Sequence, residues 1–141
     1  MIYVLDSSVA FKWEVAEVDS DKAIRLRDGG RQGLHRLLAP DAFPNEIAHA
    51  LTRAERQRRI TPAQGAQALA GYLSDLPILH QSLPLLPKAY AISSATRQGL
   101  HDCLYVVLAQ EEGCDLVTAD DKLRKNLGSI FPFIIPLSSL P

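Results

Sequence analysis

Met1-Ile2-Tyr3-Val4-Leu5-Asp6-Ser7-Ser8 opens the chain, and the rest of the sequence is best read outward from it. Residues 2–5 are apolar and strand-prone, and they stop abruptly on an aspartate followed by two hydroxyl residues. The apolar run is continuous rather than alternating, which predicts a strand covered on both faces within a parallel sheet. Such a strand belongs at the centre of the sheet. The aspartate then falls at its carboxyl edge, where open α/β sheets place their ligands.

At 141 residues the chain is expected to form one domain over residues 1–141, long enough to bury a substantial core. Hydrophobic residues at 47% with 22% charged are ordinary for a soluble globular protein,. The longest apolar run in the middle of the chain, residues 104–109, is far short of the roughly 18 residues of a membrane helix. No basic segment precedes the first apolar residues, so no signal peptide and a cytoplasmic location are expected. Cys103 and Cys114 make no C-x-x-C or zinc-like pattern and read as reduced structural thiols. A net charge of −1 does not advertise nucleic-acid binding, but local patches matter more than totals.

Further along, Ser7 or Ser8 is placed to cap a short helix over residues 9–13. A helix over 20–27 precedes a turn cluster at 28–33 and a strand at 34–39. Pro44 fits the first helical position of a helix reaching about residue 59. Thr61-Pro62 opens another through residue 73. Residues 78–80 form a third strand, and 85–97 a helix closed by Gly99. Asp102 is placed as the cap of a helix over 103–112, closed by Gly113. A strand at 115–118, a helix at 120–127 and a strand at 133–135 complete the chain. Strands alternating with helices predict an α/β domain with a parallel sheet.

On that arrangement Asp6, Glu46 and Asp120 all follow strands and share one sheet edge. Asp102 heads a helix that is apolar nearly all round and must be buried. Singly, each acid has an ordinary explanation: a helix cap is worth about 1 kcal/mol, and a first-turn Glu gains roughly 0.3–1 kcal/mol from the helix dipole. Jointly that explanation weakens, because caps need not share an edge. Crowded carboxylates repel, and the usual remedy is a bound divalent cation. Hard oxygen ligands select Mg2+ or Mn2+ over zinc. Such a site polarises phosphate oxygens and activates water, making phosphodiester hydrolysis its natural chemistry.

Four blocks carry a family resemblance: Tyr3-Val4-Leu5-Asp6-Ser7-Ser8-Val9, Pro40-Asp41 with Glu46-Ile47, Asp102-Cys103-Leu104-Tyr105-Val106-Val107-Leu108-Ala109, and Leu116-Val117-Thr118-Ala119-Asp120. In order and spacing they resemble PIN-domain ribonucleases, and within these the VapC toxins of toxin–antitoxin systems. The resemblance implies a PIN-like three-layer sandwich with a five-stranded parallel sheet flanked by helices, and a Mg2+-dependent endoribonuclease leaving 5′-phosphate and 3′-hydroxyl ends. Asp6, Glu46, Asp102 and Asp120 match the family's acidic catalytic positions, with Asp6, Asp102 and Asp120 as metal ligands. Thr118 and Ser7 or Ser8 match its supporting hydroxyls, and Asp121 is placed to share or supplement the role of Asp120, spacing not deciding between them. His101 departs from the aromatic residue more usual before the acid. A protein antitoxin and a homodimer are implied partners. The helix over 61–73, with Ala66, Leu69, Ala70 and Leu73, supports an interface no better than it supports a core face.

Arg53, Arg56, Arg58 and Arg59 cluster toward the end of the Glu46 helix. Arg53 lies seven residues after Glu46, on the same face, and is the first choice for an RNA phosphate contact; Lys12 is the second. Arg58 and Arg59 read as solvated. Such contacts give affinity without sequence preference. His49 falls near the acidic site by spacing, while Phe11 and Trp13 read as core. Two other functions compete with the nuclease. A non-catalytic RNA- or protein-binding module predicts affinity without metal-dependent turnover. A small-molecule phosphatase is disfavoured because no second aspartate follows Asp6 in a D-x-D pattern.

Overall fold

The computed structural model describes residues 1–141. Five parallel strands form one sheet: β1 (Ile2–Leu5), β2 (Arg36–Pro40), β3 (Ile78–His80), β4 (Asp115–Thr118) and β5 (Ile134–Pro136), in the order β3-β2-β1-β4-β5. The opening strand is central, as its apolar run predicts. Tyr3, Val4 and Leu5 are consecutive and all buried. Successive strand side chains point to opposite faces, so both faces of the sheet are covered.

Seven helices flank it: α1 (Ser7–Ala10, continued by a 3-10 turn Phe11–Trp13), α2 (Ser20–Arg31), α3 (Phe43–Arg56), α4 (Pro62–Leu73), α5 (Leu86–Thr96), α6 (Leu100–Glu112) and α7 (Asp121–Leu127). In α6, Cys103, Leu104, Tyr105, Val106, Val107, Leu108 and Ala109 are all buried, and the helix packs across β1, β2 and β4. Its apolar circumference required that position. Both cysteines are free, and burial pushes each thiol up, Cys103 to about 11, which leaves them unreactive,. No helix is long and apolar enough to cross a membrane.

The strand order creates a switch point. The chain leaves β1 toward β2 and β3, then returns to the other side of β1 for β4 and β5. Ligands of open α/β sheets bind in the crevice this reversal leaves beyond the carboxyl ends of the strands. Here the crevice lies between the ends of β1 and β4, where the Asp6 N–H donates to the Val117 carbonyl at 3.0 Å.

Several boundaries differ from the sequence-based expectation. The 28–33 turn cluster is helical through Arg31; a β-carbon on Gly29 would run into the His35 ring, so glycine there serves close packing, and Gly33 at φ 75° makes the actual turn. Helix α3 ends at Arg56 instead of continuing to residue 59. Arg58 takes a left-handed conformation (φ 58°), with its N–H on the Glu55 carbonyl and the Arg59 N–H on the Ala54 carbonyl. That is a Schellman C-cap with arginine where glycine is usual. Helix α5 closes on a left-handed Arg97 (φ 61°), which leaves Gly99 as the N-cap residue of α6. In α4, Gly65, Ala68 and Tyr72 face the core and Leu69 is half-buried, whereas Ala66, Ala70 and Leu73 are exposed.

Candidate active site

Asp6 leaves β1 at the N-cap position of α1, yet its side chain makes no capping bond. The Thr118 hydroxyl donates to Asp6 Oδ2 at 2.7 Å and the Ser8 hydroxyl donates to the same oxygen at 2.8 Å, so Oδ1 has no protein donor. These hydroxyls also tie the ends of β1 and β4 together. Ser8 Oγ accepts from the Ala119 N–H at 3.1 Å, and Thr118 Oγ1 accepts from the Asp120 N–H at 3.0 Å. Asp6 is only 4% exposed. Burial pushes its carboxyl up to about 6, with the Asp102 and Asp120 charges adding to the rise and the two hydroxyls opposing it. A carboxylate removed from water needs a cation or a proton.

Glu46 sits in the first turn of α3, after β2. Tyr105 Oη donates to its Oε1 at 3.2 Å and Ser7 Oγ to its Oε2 at 3.3 Å. Burial, and then the neighbouring Asp6 charge, push it up to about 7. Tyr105 stays protonated as a donor, its own hydroxyl driven up by burial and by Glu46 and Asp6.

Asp102 corrects the expectation that it caps its helix. Helix α6 starts three residues earlier than expected, at Leu100, and Asp102 lies in the first turn without a capping bond. Its Oδ2 instead accepts from Gln98 Nε2 at 2.7 Å, and Gln98 Oε1 accepts from Asn126 Nδ2 at 2.9 Å. Burial raises the Asp102 carboxyl, Gln98 pulls it down, and Asp120 raises it further. Asp120 does cap α7: its Oδ1 accepts from the Lys122 and Leu123 N–H groups at 2.9 and 3.3 Å. Asp120 is therefore an N-cap residue that also lines the cleft. Asp121 does not join the group. Its side chain is 92% exposed and stands 3.8 Å from Arg124.

Asp6, Asp102 and Asp120 line a common cleft of about 440 Å³ together with Ser7 and Ser8. Glu46 does not line it; it stands behind Ser7 against Tyr105, coupled electrostatically to Asp6 and Asp102. The rest of the lining is mostly basic and polar: Lys12, His49, Arg53, Gln57 and Arg59, with the carboxylate of Glu17 among them. Arg53 and Lys12 are thus where the sequence placed them. Arg59 is exposed, as its spacing implied, and the reversal at Arg58 also brings it to the cleft. Its guanidinium lies 5.9 Å from the Phe11 ring centre and 2.7 Å from Glu17. Gln98 and Tyr105, which hydrogen-bond Asp102 and Glu46, are not singled out as site residues by the sequence. Only the three-residue spacing from Asp102 to Tyr105 offered a signal.

The acidic side of the cleft offers carboxylate and hydroxyl oxygens, and the Asp6 and Asp102 carboxyls are shifted upward by burial first and then by neighbouring acids. That chemistry suits a hard divalent cation. As placed, no three of the acidic, histidine or cysteine side chains form a group that could hold a metal ion.

A search of curated protein sequences finds no match. Among solved structures, the chain is similar to PAE2754 from Pyrobaculum aerophilum, with a TM-score of 0.70 at 22% identity over 99% of this chain and 94% of that one. It is also similar to VapBC2 from Rickettsia felis, solved bound to a DNA fragment from their promoter, with a TM-score of 0.65 at 17% identity over 96% of this chain and 97% of that one. At these identities the likeness is one of fold. The model of the PIN domain matches residues 3–126, which takes in all four acids and strands β2, β3 and β4 with nearly all of β1: the chain belongs to the PIN domain family.

Proposed function

We propose that this PIN-domain protein is a Mg2+-dependent endoribonuclease that acts as the toxin of a toxin–antitoxin pair. One observation carries the reading. Asp6, Asp102 and Asp120 arrive from three separate parts of the fold on one cleft at the sheet's switch point, faced by Lys12, Arg53 and Arg59. Asp6, Asp102 and Asp120 would hold the cation, with Mn2+ as a substitute. Bound there, it would neutralise charge on the scissile phosphate and make water a competent nucleophile.

The chain's own residues supply the rest. Thr118 and Ser8 hold one oxygen of Asp6 and leave the other open, and Gln98 does the same for Asp102. Asp120 anchors its Oδ1 on the start of α7, fixing the third carboxylate to a rigid element. Glu46, behind Ser7 and outside the cleft, would act on the site through its charge and its bonds from Ser7 and Tyr105, its carboxyl pushed up to about 7 by burial and then by the Asp6 charge. The basic wall binds the RNA backbone by charge.

The resemblance to VapC toxins and the fold likeness to VapBC2 support a cognate antitoxin as partner, and the resemblance supports a homodimer. The test compares a labelled single-stranded RNA with a small phosphomonoester, each with Mg2+ and with EDTA. Metal-dependent cleavage of RNA alone is expected. Turnover of the monoester alone points to a phosphatase, and RNA binding without turnover points to a non-catalytic module.

A further inference from the structure

One carboxylate in the cleft plays no part in the acidic group. Glu17 lies on the basic wall, and each of its oxygens holds a different cation: Oε1 is 3.3 Å from Lys12 Nζ, and Oε2 is 2.7 Å from Arg59 Nη2. Lys12 is the more enclosed, its side chain 11% exposed, and Glu17 is its only ion-pair partner. Arg59 is braced from beneath by the Phe11 ring. The Glu17 backbone is fixed independently, its N–H donating to Ser20 Oγ at 2.9 Å, so the carboxylate can leave by side-chain rotation alone. Two cations converging on the two oxygens of one anion also match two non-bridging oxygens of a phosphodiester. Partly exposed ion pairs are weak, so exchanging one anion for another costs little.

We propose that Lys12 and Arg59 form a phosphate clamp for the RNA backbone, and that Glu17 occupies this clamp in the free protein as an internal phosphate mimic. The identity of the anion rests on the nuclease reading, whereas the masked clamp does not. RNA entering the cleft displaces Glu17, and a mispaired or short substrate that contacts only the acidic wall cannot. Glu17 therefore raises the threshold for productive binding.

The test uses the full chain and two probes. Inorganic phosphate is titrated in thermal melts of the parent, Glu17→Gln and Glu17→Gln/Lys12→Met. Affinity for a fluorescent single-stranded RNA is measured by anisotropy in EDTA. Glu17→Gln should bind RNA about 3–10-fold tighter, the scale of one partly exposed ion pair, and should gain more in melting temperature from phosphate than the parent. Lys12→Met should abolish both gains. Equal or weaker RNA binding by Glu17→Gln overturns the proposal, as does a gain that survives Lys12→Met, which would be net charge acting at a distance. Lys12→Met and Arg59→Met made singly in the parent should each weaken RNA binding, and unchanged affinity in both refutes the clamp even if Glu17→Gln fails to fold. If the parent cleaves no RNA but Glu17→Gln gains phosphate binding, the nuclease reading fails and the clamp stands. If the parent cleaves RNA and Glu17→Gln gains neither, the clamp alone falls.

Discussion

Asp6→Asn should stabilise the metal-free protein while destroying its activity. Asp6 is 4% exposed, and burial lifts its carboxyl from 3.8 to about 6. A tenfold change in proton affinity corresponds to about 1.36 kcal/mol, so a carboxyl lifted this far means that the ionised side chain costs the fold about 3 kcal/mol above pH 7. The sign follows from proton counting. Between about pH 4 and pH 6 the unfolded chain has released this proton and the folded chain keeps it, so stability falls as pH rises through that window. Glu46, lifted from 4.5 to about 7 by burial, extends the decline toward neutrality. Asparagine has no proton to lose and still offers Thr118 and Ser8 an acceptor oxygen. In EDTA at pH 8, urea unfolding should show Asp6→Asn more stable than the parent by about 2–3 kcal/mol, or about 6–9 °C in Tm for a chain of this size. At pH 4 the two should agree within about 1 kcal/mol. A variant no more stable than the parent at pH 8, or a gain equally large at pH 4, refutes the argument that Asp6 is a buried charge without a partner.

Three further outcomes are expected. Mg2+ should raise the parent's melting temperature more than that of Asp6→Asn, by about 2.7 kcal/mol of stabilisation at a hundredfold excess over Kd; equal gains would count against a shared site. Gln98→Leu, which removes the amide on Asp102 Oδ2, should weaken Mg2+ dependence or activity about 10–100-fold, the usual scale for a group that orients a metal ligand, and a Mg2+ titration of cleavage reads it. Arg58→Gly should stabilise the protein by about 1 kcal/mol, because Arg58 sits at φ 58° with an exposed side chain and no ion pair, and a left-handed non-glycine residue costs about that much net of glycine's entropy; urea unfolding checks it, with cleavage unchanged.

The fold was legible because its central element speaks in hydrophobicity alone. Residues 2–5 could be placed at the middle of a parallel sheet from a continuous apolar run, and α6 was placed in the interior from its apolar circumference. The acids followed, since three of them end or succeed strands. What was not legible depends on single backbone conformations. Gln98 reaches Asp102 because Arg97 turns left-handed and α6 starts at Leu100, two events that leave no periodic signal. Arg59 enters the cleft because Arg58 reverses the chain where glycine would normally mark the stop. Asp120 and Asp121 were indistinguishable by spacing, and the N-cap of α7 separates them: the cap residue turns into the crevice, and the next is left in solvent. Glu46 is expected at the site from its place after β2, but its position behind Ser7 and outside the cleft emerges only from tertiary packing.

The central claim, that carboxylates from separate parts of the fold act together through a metal on RNA, is tested most directly by single-turnover cleavage of one RNA by the parent, Asp6→Asn and Asp102→Asn across a Mg2+ titration. Cleavage by the parent should rise with Mg2+ and vanish in EDTA, and each variant should lose at least about a hundredfold, the scale of removing a group that stabilises transition-state charge. Cleavage by Asp6→Asn or Asp102→Asn at the parent's rate, in preparations free of contaminating nuclease, would contradict it.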